Sequence, residues 1–308
     1  MRLEGIHHIT AITGDAPGNV DFYTRVLGLR LVKKSVNQDD PTVYHLFYAD
    51  EHGSAGSDLT FFEYPGAQRG RPGRGMVHRI EWRAASEDAL SFWAERLAGE
   101  GVPVGRPGPG LLRFADPEGL EHELTVDTSG DEPLIAEHPE VPAEHALRGF
   151  AGVRAHSHDA EPSRALLEQA LAFEPSGDGW EVRGERRGST YAYDPPPEQS
   201  GIQGAGTVHH VAWATPPAEQ EAWRERVLRA GGRPTPVIDR FYFRSVYFRE
   251  PSGVLFEIAT IGPGFTTDEP AESLGTKLAL PPDYEHLRAQ IEATVTPLPP
   301  TRPAGAQR

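Results

Sequence analysis

The chain has 308 residues, room for one large or two ordinary domains, and carries 30 Lys+Arg against 45 Asp+Glu for a formal net charge of −15. That balance argues against a nucleic-acid or anionic-membrane partner, either of which calls for a basic patch. The absence of cysteine excludes disulfide scaffolds, thiolate zinc sites and cysteine nucleophiles. No apolar run approaches the roughly 18–20 residues that span a bilayer. The opening MRLEGIHHITAITGD lacks a basic stretch followed by an apolar one, so no signal peptide is expected and the protein reads as cytoplasmic.

One unit recurs four times along the chain: a short β-rich run, a turn, an amphipathic helix, then further β-like runs. Copy one opens at Gly5-Ile6-His7-His8-Ile9-Thr10, and its helix places Val20, Tyr23 and Leu27 on one side before Gly28 stops it. Copy two opens at Gly75 and has Leu90, Trp93, Ala94 and Leu97 at i, i+3, i+4 and i+7. Copy three opens near Gly149, with Leu167, Ala170 and Leu171 on one helical face. Copy four opens at Gly206-Thr207-Val208-His209-His210, with Trp223, Val227 and Ala230 on one side and Gly231-Gly232 as the stop. Copies two and four also end alike, in Asp116-Pro117-Glu118-Gly119 to Glu123 and Glu250-Pro251-Ser252-Gly253 to Glu257: strand, Pro-x-Gly turn, strand, with a Glu four residues after the Gly.

The units therefore predict an α+β fold of four βαβββ modules paired into two domains with mixed, curved sheets. The expected divisions are 1–135, 145–262 and a tail 263–308, separated by a Pro- and Glu-rich linker from Asp131 to Glu144. The tail is expected to carry one more helical stretch near Tyr284 to Thr294 and to fray from Pro299-Pro300-Thr301-Arg302-Pro303 onward.

Equivalent positions in the repeats differ in a way that points to chemistry. The second residue of the opening pair is His8, Arg79, Gly152 and His210 in the four copies, and the position four after the turn glycine is Thr60, Glu123, unassigned in copy three, and Glu257. If copy one faces copy two, their cleft offers His8 and Glu123; if copy three faces copy four, His210 and Glu257. If copy one faces copy four, a single cleft gathers His8, His210 and Glu257, the two-imidazole, one-carboxylate set of non-haem Fe(II) oxygenases, with open positions left over. That last pairing explains the pattern best. A lone histidine at a strand start is more often a hydrogen-bonded core residue, but two His-His pairs at equivalent positions, lost from the other copies, are not explained that way. A Glu between Phe256 and Ile258 also needs a partner when buried. Glu123 reads as structural, and Glu63, one residue off register, should face away from Thr60. His45 could line a pocket or sit in the core. His52, His122, His138, His145, His156, His158 and His286 read as surface or turn residues.

These residues resemble the vicinal oxygen chelate superfamily, the glyoxalase, bleomycin-resistance and dioxygenase proteins. Within it the chain is similar to the ring-cleaving dioxygenases of hydroquinone type. The likeness runs through Ile6-His7-His8-Ile9-Thr10, Val43 to Asp50, Glu144 to Phe150, Val208-His209-His210, Gly253 to Glu257, Gly264 to Glu269 and Ser273-Leu274-Gly275. It implies an Fe(II)-dependent extradiol-type enzyme, Mn(II) suiting the same ligands, with His8, His210 and Glu257 as metal ligands. It further implies supporting and substrate-contact roles for His7, Thr10, His209, Arg240 and Tyr247, and a small aromatic diol and dioxygen as reactants. Arg240 and Tyr247 would flank a strand from Phe241 to Phe248 on which Phe241, Phe243, Ser245 and Tyr247 share a face.

Two other functions remain on the same fold. A glyoxalase-like metal-dependent lyase or isomerase commonly has a second carboxylate where Thr60 stands. A non-catalytic small-molecule-binding protein generally lacks the triad. The oligomeric state, a homo-oligomer included, is open.

Overall fold

The computed structural model describes residues 1–299; the end expected to fray from Pro299 lies outside them except for Pro299 itself. In copy one, β1 (Ile6–Thr13) is followed by a short helix α1 (Ala16–Val20) that widens into a π-helical turn (Asp21–Val26), then β2 (Arg30–Asn37), β3 (Asp40–Ala49) and β4 (Asp58–Glu63). Copy two has β5 (Val77–Ala84), α2 (Glu87–Gly99), β6 (Leu111–Ala115) and β7 (Glu121–Val126). Copy three has β8 (Phe150–His156), α3 (Glu161–Arg164) with a second π-helical turn (Ala165–Ala170), β9 (Glu174–Ser176), β10 (Gly179–Arg183) and β11 (Gly188–Asp194). Copy four has β12 (Val208–Thr215), α4 (Gln220–Arg229), β13 (Ile238–Asp239), β14 (Arg244–Arg249) and β15 (Leu255–Thr260).

The repeat is thus four-fold, with one reduction. Copy two has two strands after its helix, and the third is only a bridge between Gly105 and Arg113. Pro103, Pro107 and Pro109 crowd that stretch, and each removes a backbone donor that a ladder needs. Elsewhere local chemistry matches the elements. Ser86 caps α2 by accepting from the Ala89 N–H, and Ala89, Leu90, Trp93 and Leu97 form its buried stripe. In α4 only Trp223 and Val227 of the expected trio are buried, because Ala230 falls at the cap. Gly28, at φ +70°, ends the copy-one helix in a left-handed conformation that favours glycine.

Sheet partners are chosen across the halves of the chain. One eight-stranded sheet runs β13-β14-β15-β12-β1-β4-β3-β2, joining copies one and four; a seven-stranded sheet runs β6-β7-β5-β8-β11-β10-β9, joining copies two and three. In every copy the first strand lies parallel to the last, while the first strands meet antiparallel, β1 with β12 and β5 with β8. An apolar core including Trp82, Trp93, Trp213 and Trp223, all with no exposed surface, fills the space beneath the helices. Each large side chain so buried contributes on the order of 1.5–3 kcal/mol. No described helix is long and apolar enough to cross a membrane.

The tail forms short 3-10 turns and a last helix, α5 (Arg288–Thr294), after a 3-10 stretch Pro282–Leu287, where the sequence places helical character. It folds back on copy one. Lys33, wholly buried, donates to the Phe265 carbonyl at 3.1 Å and to Asp268 at 2.7 Å, and meets Glu269 as well.

Candidate metal centre and cleft

The β1–β12 pairing brings the two His-His pairs together. The Nε2 atoms of His8 and His210 lie 3.3 Å apart, and Glu257 Oε2 stands 3.2 Å from the first and 2.9 Å from the second. All three side chains are buried, Glu257 completely. Among the described residues this is the one group of three or more His, Cys, Asp or Glu side chains whose donor atoms converge closely enough to hold a metal ion. Copy one therefore faces copy four, the pairing of modules that gathers the triad.

Hydrogen-bond bookkeeping shows why the arrangement suits a cation. His7 Nε2 meets the Thr260 carbonyl at 3.2 Å, and a carbonyl only accepts, so the His7 proton sits on Nε2. His7 Nδ1 is then an acceptor, and the His8 Nδ1 2.9 Å away must be the donor. A neutral His8 consequently turns a bare Nε2 lone pair toward Glu257 and His210. His209 Nδ1 stands likewise 2.8 Å from His210 Nδ1. Glu257 Oε2 faces both imidazole nitrogens, and among the described residues Oε1 has no hydrogen-bond partner. The His8 lone pair and the Glu257 carboxylate thus face each other in a buried pocket, a costly arrangement unless a positive charge lies between them.

The electrostatics agree. Burial would raise the Glu257 pKa, but His8 and His210 outweigh it and hold the carboxyl well below its usual range. Burial, then the neighbouring His8, pushes His7 down to about 3; burial also lowers His210. A carboxylate held ionised in this buried setting is a negative charge that a divalent ion would balance.

The remaining expected residues fall around this centre. Thr10 Oγ1 is 3.0 Å from His210 Nε2 and 2.8 Å from Thr60 Oγ1. His209 is exposed, on the Nδ1 side of His210. Tyr247 pairs in register with Glu257 and its ring stands edge-on to His210 at 5.7 Å. Arg240 lies over the Tyr247 ring at 5.6 Å and is bound by Asp39 at 2.9 Å. Burial raises the Tyr247 phenol well above its ordinary pKa, so it stays protonated. Burial works against the Arg240 charge, but bonds to Asp39 and Tyr247 hold the guanidinium firmly protonated.

The strand expected from Phe241 to Phe248 begins only at Arg244. Residues 240–243 form a tight turn: Asp239 accepts from the Phe241 N–H at 2.8 Å, and Phe241 adopts φ +71°. That conformation is uncommon for an aromatic residue and takes Phe241 out of the β alternation. Phe243 instead packs against the rings of His7 and His8, with centroids 5.2 and 5.0 Å away.

The cleft above the triad is lined by Phe47, Phe62, Phe243 and Tyr247 as apolar walls, with His45, Asn37, Gln38, Asp39 and Arg240 as polar groups. Gln38 and Asp39 come from the β2–β3 hairpin tip, which the repeat comparison does not reach; Gln38 donates to the Arg240 carbonyl at 2.8 Å, joining copy one to copy four across the cleft.

In the seven-stranded sheet the equivalent positions carry no such set. Arg79 replaces a histidine, and its neighbours are Glu121 and Asp194. A Cβ on Gly152 would come within 2.0 Å of Thr190 Oγ1. Glu123 is held by Arg113. The copy-three counterpart of Glu257 is Ala192, four residues after Gly188, where no Pro-x-Gly turn marks the place. His122, expected at the surface, is wholly buried, because its strand faces the core under Trp82 and Tyr23.

The family description of the Glyoxalase/Bleomycin resistance protein/Dioxygenase superfamily matches residues 5–124. The chain is 41% identical to a Bacillus subtilis (strain 168) protein named as the ring-cleaving dioxygenase MhqA, over 97% of this chain and all of the relative. It is 34% identical to the chlorohydroquinone/hydroquinone 1,2-dioxygenase of Sphingobium indicum, over 96% of each chain. A crystal structure described as a dioxygenase from Bacillus subtilis superimposes with a TM-score of 0.90 at 39% identity, covering 98% of this chain and 99% of that one. Maize glyoxalase I, at 17% identity and TM-score 0.58 over 83% of this chain and 92% of its own, shares the fold. The chain belongs to the glyoxalase/bleomycin resistance/dioxygenase superfamily and, within it, to the family of the ring-cleaving dioxygenases.

Proposed function

We propose that the protein is a cytoplasmic, non-haem Fe(II)-dependent, extradiol-type dioxygenase that opens the ring of hydroquinone or a substituted hydroquinone. The observation that carries this is the convergence of three candidate donor atoms, His8 Nε2, His210 Nε2 and Glu257 Oε2, at the floor of an aromatic cleft. The family's relatives bear dioxygenase names, which supports the same reading.

His8, His210 and Glu257 would hold the ion, and Mn(II) suits the same ligands. The bound metal would supply a Lewis-acidic centre with open positions for a diol oxygen and dioxygen. The protein does the rest. Phe47, Phe62 and Phe243 offer flat apolar faces to a benzene ring and keep bulk water from the floor. Tyr247, held protonated, donates a hydrogen bond to a substrate oxygen, and Arg240 above it favours an oxyanion. His7 holds the His8 imidazole in the tautomer that turns its Nε2 inward. The hydroxyl of Thr60, in place of a second carboxylate, leaves the set at three ligands.

The test is oxygen uptake by anaerobically iron-loaded protein given hydroquinone, a chlorinated hydroquinone, catechol and a glutathione hemithioacetal. One dioxygen consumed per hydroquinone-type ring is expected. Isomerisation of the hemithioacetal without oxygen uptake would establish a lyase instead.

A further inference from the structure

His45 has no place in the triad or in the opposite wall of the cleft, yet it begins a hydrogen-bonded string that ends at the triad. Its ring lines the cleft, clamped between Phe47 and Phe62 with centroids 4.0 and 4.4 Å away. Its Nε2 lies 2.9 Å from Thr60 Oγ1; Thr60 Oγ1 lies 2.8 Å from Thr10 Oγ1; Thr10 Oγ1 lies 3.0 Å from His210 Nε2. Both threonines are completely buried. The sheet order builds the string: Thr10 on β1 is in register with Thr60 on β4, and β4 is flanked on its other side by β3, which carries His45.

A packed core does not need these hydroxyls, since valine has the same shape without the cost of burying a polar group. Each hydroxyl donates one hydrogen, so the string has a direction set from its His45 end. If His45 carries its hydrogen on Nε2, Thr60 accepts from it and donates to Thr10, and Thr10 has its own hydrogen left for the coordination side of His210. If the hydrogen is on Nδ1, the string reverses and Thr10 presents a lone pair there. An oxyanion beside His210 selects the first arrangement, because only a donor faces an anion favourably.

We propose that His45, Thr60 and Thr10 form a directional hydrogen-bond wire that presents the Thr10 hydrogen to an anionic oxygen bound beside His210, with His45 as the positioning residue that sets its direction. The idea rests on the metal-centre reading above. Burial holds the His45 pKa well below its ordinary value, so the ring is neutral and keeps one bare nitrogen, as the wire requires.

The test uses the anaerobic Mn(II)-loaded protein and 4-nitrophenol, whose visible absorbance reports phenol against phenolate. Thr60→Val and His45→Leu should each raise the pH at which the bound probe ionises by about one unit, the equivalent of a tenfold loss of phenolate affinity, with metal content intact. Their double variant should be no worse than either single, because one break empties the wire. His45→Gln, whose amide can return a donor near Nε2, should recover part of the shift. An unmoved ionisation in both single variants, additive losses in the double, or no recovery by glutamine would overturn the wire. Hydroquinone turnover is read separately: its absence in the wild type alongside the probe shift would remove the activity and leave the wire, and turnover without the shift would do the reverse.

Discussion

Tyr247 and Glu257 are cross-strand neighbours in register on β14 and β15, so the phenol and the carboxylate leave the same face of the sheet beside His210. A candidate ligand and a candidate substrate donor are thereby set by one strand pairing, without a loop between them. The Tyr247 backbone N–H is held by Thr235 Oγ1 at 3.1 Å, so the residue does not depend on its hydroxyl for its place. Tyr247→Phe is therefore expected to lower turnover by about tenfold to a hundredfold while leaving iron content and melting temperature unchanged. Loss of iron or of fold in this variant, measured by metal analysis and calorimetry, would make the hydroxyl structural.

Removing the carboxylate has a different outcome. Glu257 is the one anionic member of the triad, and Glu257→Ala leaves two neutral imidazoles for a hard divalent ion. Metal content after anaerobic reconstitution should fall to near zero, and activity with it; His210→Ala should act likewise. Glu123→Ala, at the equivalent position of the other sheet and held there by Arg113, should keep its metal. Stoichiometric iron in Glu257→Ala would remove the centre from these residues.

The triad is legible in the sequence because the repeats provide their own comparison. His8 and His210 stand out against Arg79 and Gly152, and Glu257 against Thr60. The helices and most strands are legible for the same reason, through periodic apolar residues. Less legible are features with no counterpart in the other copies. The Arg240–Phe243 turn depends on an Asp239 side-chain bond and a positive φ at an aromatic residue, which alternation does not reveal. Gln38 and Asp39 enter the cleft through sheet pairing across the halves of the chain. His122 has polar neighbours along the chain but apolar ones in space. The His45 wire needs three strands at once.

The tail is tied to copy one by a charge, which sets up a stability prediction. Lys33, without exposed surface, is satisfied by Asp268, Glu269 and the Phe265 carbonyl, with the Tyr242 ring 4.9 Å from its Nζ. Lys33→Met strands carboxylates against an apolar wall and should cost about 3–5 kcal/mol. Urea unfolding should show it, together with faster proteolysis between Pro263 and Leu280. A loss under about 1 kcal/mol would mean that the tail docks through its apolar residues alone.

The buried His122 predicts how the core responds to acid. The Trp82 indole only donates, so His122 Nδ1 accepts its hydrogen at 3.0 Å. His122 Nε2–H then donates to Tyr23 Oη at 3.0 Å, and Tyr23 donates to Asp116 at 2.9 Å. Burial pushes His122 down to about 3, below its ordinary 6.5, so the unfolded chain binds the proton first. Its contribution is complete above pH 6.5 and is lost as pH falls from there through 3. Asp116 runs the other way: burial lifts it to about 6 from 3.8, so its penalty is relieved as pH falls from 6 to 3.8. The two offset each other between 6 and 3.8, and the His122 loss is unopposed by Asp116 from 3.8 to 3. His122→Gln should lower stability at pH 7 yet remove this acid-dependent part, on the order of a few kcal/mol. Denaturant midpoints at pH 7, 5 and 3.5 would show the variant and the wild type converging; parallel decline of the two would show that His122 does not titrate with unfolding.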